Sequence, residues 1–175
     1  MRFVEFLKNT VLLSAGAATA LGVLALLADA SGGETHLVWF TAGWWVLATA
    51  IGLWLGRRTV PSPAIGRLLA EAKVSSTLPE QRPARVLVNR LWPLLVVTVI
   101  AGGLGFLAPQ IPGIGAGFAI IWALAWRHQH GAVAAIERRD GVSFYIAPTS
   151  PLQSIALQRM PGYKAMSPEG VDGAL

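Results

Sequence analysis

The sequence predicts an all-α membrane protein: a four-transmembrane-helix bundle with a cytoplasmic amphipathic loop helix and a short, partly extended C-terminal tail. Two observations support this fold class. Hydrophobic residues make up 54% of the 175 residues and charged residues only 13%, whereas soluble proteins average about 25% charged residues. The apolar residues also form long uninterrupted stretches, and the basic residues lie between only some of them. The length suits one domain.

Four apolar stretches are predicted to cross the bilayer as helices, and together they form a membrane domain at residues 1–139. The first two stretches contain no ionisable group. At a rise of about 1.5 Å per residue, a helix of about 20 residues matches a hydrocarbon core of about 30 Å. The predicted spans are residues 10–28, 37–56, 91–108 and 113–136.

The last two spans come from one long run at residues 91–126, which holds no charge and no histidine. A single helix of that length is far too long for one crossing. Pro109 and Pro112 lie in its middle, and proline interrupts the helical hydrogen-bond ladder. We therefore expect two helices joined by a tight turn near residues 108–113.

Basic residues all fall on one side of this arrangement. The 14 lysines and arginines lie in residues 1–9, in the loop 57–90 or after Trp126, and the connection 29–36 holds none. The positive-inside rule makes that side cytoplasmic, with both termini inside. A three-span arrangement would leave five basic residues outside. The excess of arginine over lysine, with abundant alanine, glycine and leucine, indicates a bacterial plasma (inner) membrane protein.

The tryptophans agree with these boundaries. Four lie near predicted inner ends and Trp39 near an outer end, where aromatic belts form at membrane interfaces. The alternative is a tryptophan-lined ligand pocket. The inner-end tryptophans are Trp54, Trp92, Trp122 and Trp126.

The first span has a competing interpretation as a signal peptide. Ala28 and Ala30 match the small-residue pattern of a cleavage site after a basic start. However, the apolar region exceeds the roughly 7–15 residues of a signal peptide's apolar region, and Glu5 is unusual in a basic end. We expect the first helix to remain as a span, with cleavage after Ala30 left open.

The stretch WALAWRHQHG, residues 122–131, raises the question of a metal or catalytic site. On a helix, His128 and His130 are about 200° apart and do not face one ligand. Glu137 shares a helical face with His130, but a zinc site needs three or four ligands. We therefore expect an interfacial flank with Arg127 reaching the headgroups, and the sequence predicts no catalytic, cofactor-binding or metal residue.

The loop at 57–90 contains SPAIGRLLAEAK, which predicts an amphipathic helix capped by Ser62 with Pro63 at its first position. The loop carries seven basic and two acidic residues. This charge favours anionic inner-leaflet lipids. Docking to a protein partner is the alternative. Nucleic acid is not expected, because no binding motif or interleaved aromatic residues accompany the charge.

The cytoplasmic tail spans residues 140–175. Gly141 is predicted to cap the last helix, and alternation at 142–147 predicts a short strand. A second strand is expected near 154–158, and a hairpin turning at Asp140–Gly141 is the alternative. The polar end is predicted to be disordered.

No charged residue or histidine lies within the apolar stretches 10–28, 37–56 and 91–126, which argues against a proton-driven pump. Small residues recur at four-residue spacing, as at Gly113 and Gly117, and predict close helix packing or a homo-oligomer. The predicted function is a non-enzymatic accessory, scaffolding or assembly component with a membrane-protein partner. The alternative is a small channel, holin-like pore or transporter subunit. A metal-dependent enzyme using His128, His130 and Glu137 is the weakest hypothesis.

Overall fold

A computed structural model describes residues 1–32, 35–57, 60–75, 82–108, 110–150 and 153–161. Within them the chain is mostly helical. The predicted disorder at the C-terminal end and the role of Pro109 lie outside the described residues. The elements are α1 (Phe3–Gly32), α2 (Thr35–Leu55), α3 (Pro63–Ala70), β1 (Lys73–Val74), α4 (Pro83–Leu104), α5 (Gln110–Trp126), α6 (Gln129–Asp140), β2 (Val142–Ile146) and β3 (Leu157–Pro161).

Three of the described helices are long and apolar enough to span a membrane: Phe3–Leu27, Val38–Leu55 and Pro83–Leu104. Most of their large apolar side chains face outward, and Trp39, Val46 and Val99 are more than 70% exposed. Exposed apolar area of this extent on helix surfaces indicates a lipid-facing exterior. The chain is therefore a membrane-spanning protein.

Helix α5 lies at the centre of the bundle. Ala116 is fully buried and forms a small core with Leu21 of α1 and Ala101 of α4. A Cβ placed on Gly113 would lie 2.9 Å from Thr41 of α2 and 3.7 Å from Ala25 of α1. Small residues on α5 therefore allow three neighbouring helices to approach its backbone.

The fourth predicted span, 113–136, does not form one helix. Helix α5 has only 17 residues and ends at Trp126, residues 127–128 form a turn, and α6 starts at Gln129. The break lets α6 turn its own apolar face inward, so that Val133 is fully buried among residues from α1 and β2. Burial of this face outside the bundle favours the break over a continuous helix.

The turn before α5 also differs from its predicted place. Helix α4 ends at Leu104, a turn covers residues 105–107, and α5 starts at Gln110, so the connection begins before the predicted 108–113 and α5 occupies most of that range. Pro112 lies within the first turn of α5, where the missing N–H has no helical partner to lose. Gly105 contacts the Pro112 ring, since a Cβ there would lie 2.6 Å from Cγ.

A folded unit, which we call the cap, covers one end of the bundle. It consists of α3, α6 and a sheet of three strands in the order β1-β3-β2, packed on the first turns of α1 and α4. Strand β3 is antiparallel to β2 and parallel to β1. The N-terminus joins the far edge of β2, where Ile146 N–H donates to the Met1 carbonyl at 3.2 Å. The sequence predicted neither β1 nor this sheet.

The tail begins close to its predicted form. Gly141, with φ of 62°, ends α6 in the left-handed conformation, and β2 covers the predicted strand except for its last residue. The hairpin turning at Asp140–Gly141 does not form, because those residues end a helix. Strand β3 begins three residues after the expected start at 154, since its register is set by pairing with β2.

Candidate functional site

The histidine stretch does not gather ligands. His128 is exposed, and its Nε2 accepts a hydrogen bond from Arg127 Nε at 2.9 Å. His130 is partly buried on the next turn. Among the residues that the structure describes, no group of three His, Cys, Asp or Glu is placed to hold a metal ion.

Glu137, the third residue of the metal hypothesis, is engaged in a structural contact. It is 5% exposed, and its Oε2 accepts from Arg2 Nη2 at 2.7 Å. Its Oε1 accepts from the Phe144 N–H at 2.8 Å. The hydrogen bond to Glu137, reinforced by its charge, raises the pKa of Arg2 above its ordinary value. Glu137 thus ties the N-terminus and β2 to α6.

A concave feature of the described residues is a groove of about 790 Å³ at the boundary between bundle and cap. This volume lies within the roughly 300–1,000 Å³ typical of small-molecule sites. The end of α2 forms one wall, the segment 60–63 a second, and the junction of α5 with α6 a third. We call this feature the interfacial groove.

The walls of the interfacial groove are mainly apolar. Trp54 and Leu55 line it from α2, and Ala125 and Trp126 line it from α5. Trp126 stacks on Trp122, with ring centroids 5.7 Å apart and planes 24° apart, which fixes the orientation of that wall. Trp54 is 65% exposed and is free to contact a molecule beside the protein.

A short hydrogen-bond chain holds the loop wall in place. Gln129 is 6% exposed, and its side-chain carbonyl accepts from the Ser62 N–H at 2.9 Å. The Ser62 hydroxyl accepts from the Ile65 N–H at 3.4 Å and caps α3. Ile65 is 1% exposed in the core of the cap. The groove is therefore part of the folded structure and needs no ligand to form.

Arg57 is the charged side chain among the described residues that line the interfacial groove. It lies two residues after the end of α2 and is exposed. No carboxylate in the described part of the chain pairs with it. A guanidinium without an ion-pair partner, beside two indole rings, has the chemistry to bind a phosphate or carboxylate group with an apolar portion attached.

A second, much smaller cleft lies at the start of α4. Its volume is about 30 Å³, and Arg85, Asn89 and Arg90 contribute to its lining. Arg90 donates to the Thr149 hydroxyl and to the Gln153 carbonyl. These bonds attach Thr149 and Gln153 to α4, and the cleft holds no more than a solvent molecule.

Comparison with known protein families, with curated proteins and with solved structures finds no match to this chain. The groove must therefore be interpreted from its own chemistry.

Sequence reasoning found part of the groove. Trp54 and Trp126 were predicted to lie at an inner interface, and Arg57 was counted among the basic residues of the loop. Gln129 and the segment 60–63 were missed, because their proximity depends on the turn at residues 127–128. The pair of prolines in VPSP, which stiffens this segment, was the available signal.

Proposed function

We propose that the chain crosses a bacterial plasma membrane four times, with α5 as the fourth span and the cap in the cytoplasm. The length of α5, about 25 Å at 1.5 Å per residue, is at the lower limit for a crossing. Its start packs on Ala25 of α1 and Thr41 of α2, and Trp126 at its end packs on the cap, which supports a crossing antiparallel to α1. The positive-inside rule supports a cytoplasmic cap.

We propose further that the protein is a non-enzymatic accessory or assembly component whose cap docks a membrane-protein partner. The observation that carries this proposal is the outer edge of β1, which no other described strand covers. Strand β1 pairs with β3 alone among the described strands, and Val74 is 79% exposed. The opposite edge, at β2, is covered by the N-terminus. An uncovered strand edge beside an exposed apolar side chain suits pairing with a segment of another protein.

Site-specific photo-cross-linking tests this function. A photoreactive phenylalanine analogue at Val74 should yield a discrete adduct of higher mass in intact cells, because the partner would lie against β1. The same analogue at Phe118, which is 54% exposed on the bundle surface, is the control and should yield only lipid adducts. If Val74 yields no protein adduct while Phe118 does, the docking surface is not the cap.

The alternative of a pore finds little support in the packing of a single chain. Gly52 of α2 and Gly56 just after this helix contact Leu124 closely, and Gly117 contacts Trp44, so the centre of the bundle is filled by closely packed backbone and side chains. A conduction path would then need several copies. Dye release from liposomes containing the purified protein would favour the pore over the accessory function.

A further inference from the structure

We propose that the interfacial groove binds one anionic phospholipid of the cytoplasmic leaflet, with its phosphate on Arg57 and an acyl chain along Trp54 and Leu55. This inference rests on the membrane placement proposed above. It is more specific than a general attraction between the basic loop and acidic lipids, because it assigns one cation and one set of apolar walls to one lipid molecule.

Charge complementarity identifies the polar part of the ligand. Among the described residues that line the groove, Arg57 is the only ionisable one, and it has no carboxylate partner within the described part of the chain. A guanidinium presents two parallel N–H donors that match two oxygens of a phosphate. Glu71, the acidic residue nearest in the described loop sequence, does not line the groove. The groove therefore favours a ligand with net negative charge.

The apolar walls identify the other part of the ligand. Trp54 and Leu55 are 65% and 47% exposed on the outer surface of α2, and the lipid-facing surface of the bundle continues from them. Arg57 follows where the helix ends. A cation at the end of a span, with tryptophan one turn before it, lies at the level where a headgroup meets its acyl chains.

The groove is preorganised for this ligand. The bond from Ser62 to buried Gln129 fixes the loop wall, and stacking on Trp122 fixes Trp126. Fixed walls reduce the ordering cost of binding and favour a single retained lipid over a mobile annular one. A soluble phosphate ester would use Arg57 but would leave the indole walls in contact with water or detergent.

Native mass spectrometry of delipidated protein in detergent tests the proposal. The protein is titrated in parallel with dioleoylphosphatidylglycerol and with dioleoylphosphatidylcholine, and occupancy of the first bound lipid is measured. We expect the anionic lipid to bind about tenfold more tightly, the effect of one charge-assisted hydrogen bond at a partly exposed site. Arg57→Gln should abolish this preference.

Two further variants locate the effect. Arg67→Gln removes the same charge from exposed α3, outside the groove lining, and should keep the full preference. Trp54→Ala removes an exposed side chain, so folding should be retained, and it should weaken both lipids by a similar factor. An unfolded variant would lose both lipids, so it would not reproduce the loss of preference expected for Arg57→Gln or the equal weakening expected for Trp54→Ala.

Several outcomes would overturn the proposal. Equal loss in Arg57→Gln and Arg67→Gln would indicate a diffuse basic surface. Equal affinity for the two lipids in the unaltered protein would show that Arg57 does not select charge. Displacement of the lipid by millimolar sn-glycerol 3-phosphate would show that a soluble phosphate is the ligand. The titration in detergent depends neither on the orientation of the protein in the membrane nor on a protein partner. Its result is therefore independent of the cross-linking experiment that tests the docking function.

Discussion

Glu137 illustrates how one residue changes meaning between sequence and structure. In the sequence it was the third member of a possible metal site with His128 and His130. In the structure its carboxylate is buried and accepts from Arg2 and from the Phe144 N–H. A carboxylate that is already hydrogen-bonded on both oxygens stabilises a fold, and nothing in its surroundings orients it towards a histidine.

Replacing Glu137 by alanine should lower the free energy of unfolding by about 1–3 kcal/mol, because a buried N–H would lose its acceptor. The cost is held to this range because the side chain of Arg2 is 46% exposed and can be hydrated. The measurement is thermal or denaturant unfolding in detergent.

A matched control is Asp140→Asn, which removes the carboxylate from an exposed pair with Arg139 on the same helix. It should leave the unfolding transition unchanged. A larger effect at Asp140 than at Glu137 would contradict the structural role given to Glu137. The pKa of Arg2 is raised. The stabilisation that the Arg2–Glu137 ion pair contributes is therefore fully present below the ordinary pKa of arginine, and it is lost only as the pH rises through the raised pKa.

At the scale of elements, tryptophan and glycine residues make a close contact between α2 and α5. Trp45 Nε1 donates to the Gly113 carbonyl at 2.8 Å, and Trp44 Nε1 donates to the Ile114 carbonyl at 3.1 Å. A Cβ on Gly117 would overlap the Trp44 indole, with 2.6 Å to Cε2. The small-residue spacing predicted close packing, but only the structure shows that it serves contacts within one chain.

Gly117→Ala should therefore displace Trp44, lengthen its hydrogen bond to Ile114 and destabilise the protein by about 1–3 kcal/mol. Gly16→Ala in α1 is the matched control, since a Cβ there meets nothing within 4 Å. That control should leave stability equal or slightly higher, because alanine is the better helix former. The unfolding transition of each variant is measured in detergent. Equal transitions for Gly117→Ala and Gly16→Ala would show that the Trp44 side chain moves to another position without cost.

The break between α5 and α6 is also decided at this scale. The sequence of residues 113–136 has helical character throughout, and the predicted fourth span therefore continued past Arg127 as one helix. The structure ends α5 at Trp126, and α6 buries Val133 and Glu137 in the cap. The tertiary contacts of α6 stabilise the protein more than one continuous helix would. The local sequence pattern does not predict these contacts.

For the whole molecule, the main prediction is the membrane topology, that is, the side of the membrane on which each end of α5 lies. The chain has no cysteine, so single cysteines report position directly. Phe106→Cys, at a residue 92% exposed between α4 and α5, should react with an impermeant maleimide in intact cells. Ser154→Cys, exposed in the cap, should react only after permeabilisation.

The two positions together test whether α5 crosses the membrane. They should always label from opposite sides, because α5 lies between them in the chain. Labelling of both from the same side would mean that α5 does not span and that the chain crosses three times. Labelling in the reverse order would keep the four crossings but place the cap outside.

The sequence by itself determined that the chain spans a membrane, because long apolar stretches are a local property that needs no tertiary information. It also determined the capped start of α3 at Ser62, the left-handed Gly141 and most of β2, all of which follow from short-range stereochemistry. The hydroxyls of Thr19 and Thr98 likewise donate within their own helices, to the Ala15 and Leu94 carbonyls.

Only the tertiary structure decided the rest. The sheet unites residues 73–74 with a tail more than 80 positions later, and the interfacial groove unites the end of α2 with Gln129. Both depend on contacts between segments distant in the chain, which the hydrophobic pattern of either segment leaves undetermined. The physical reason is that apolar burial is non-directional: it requires that Val133 and Ile65 be covered, and the geometry of the whole chain selects what covers them.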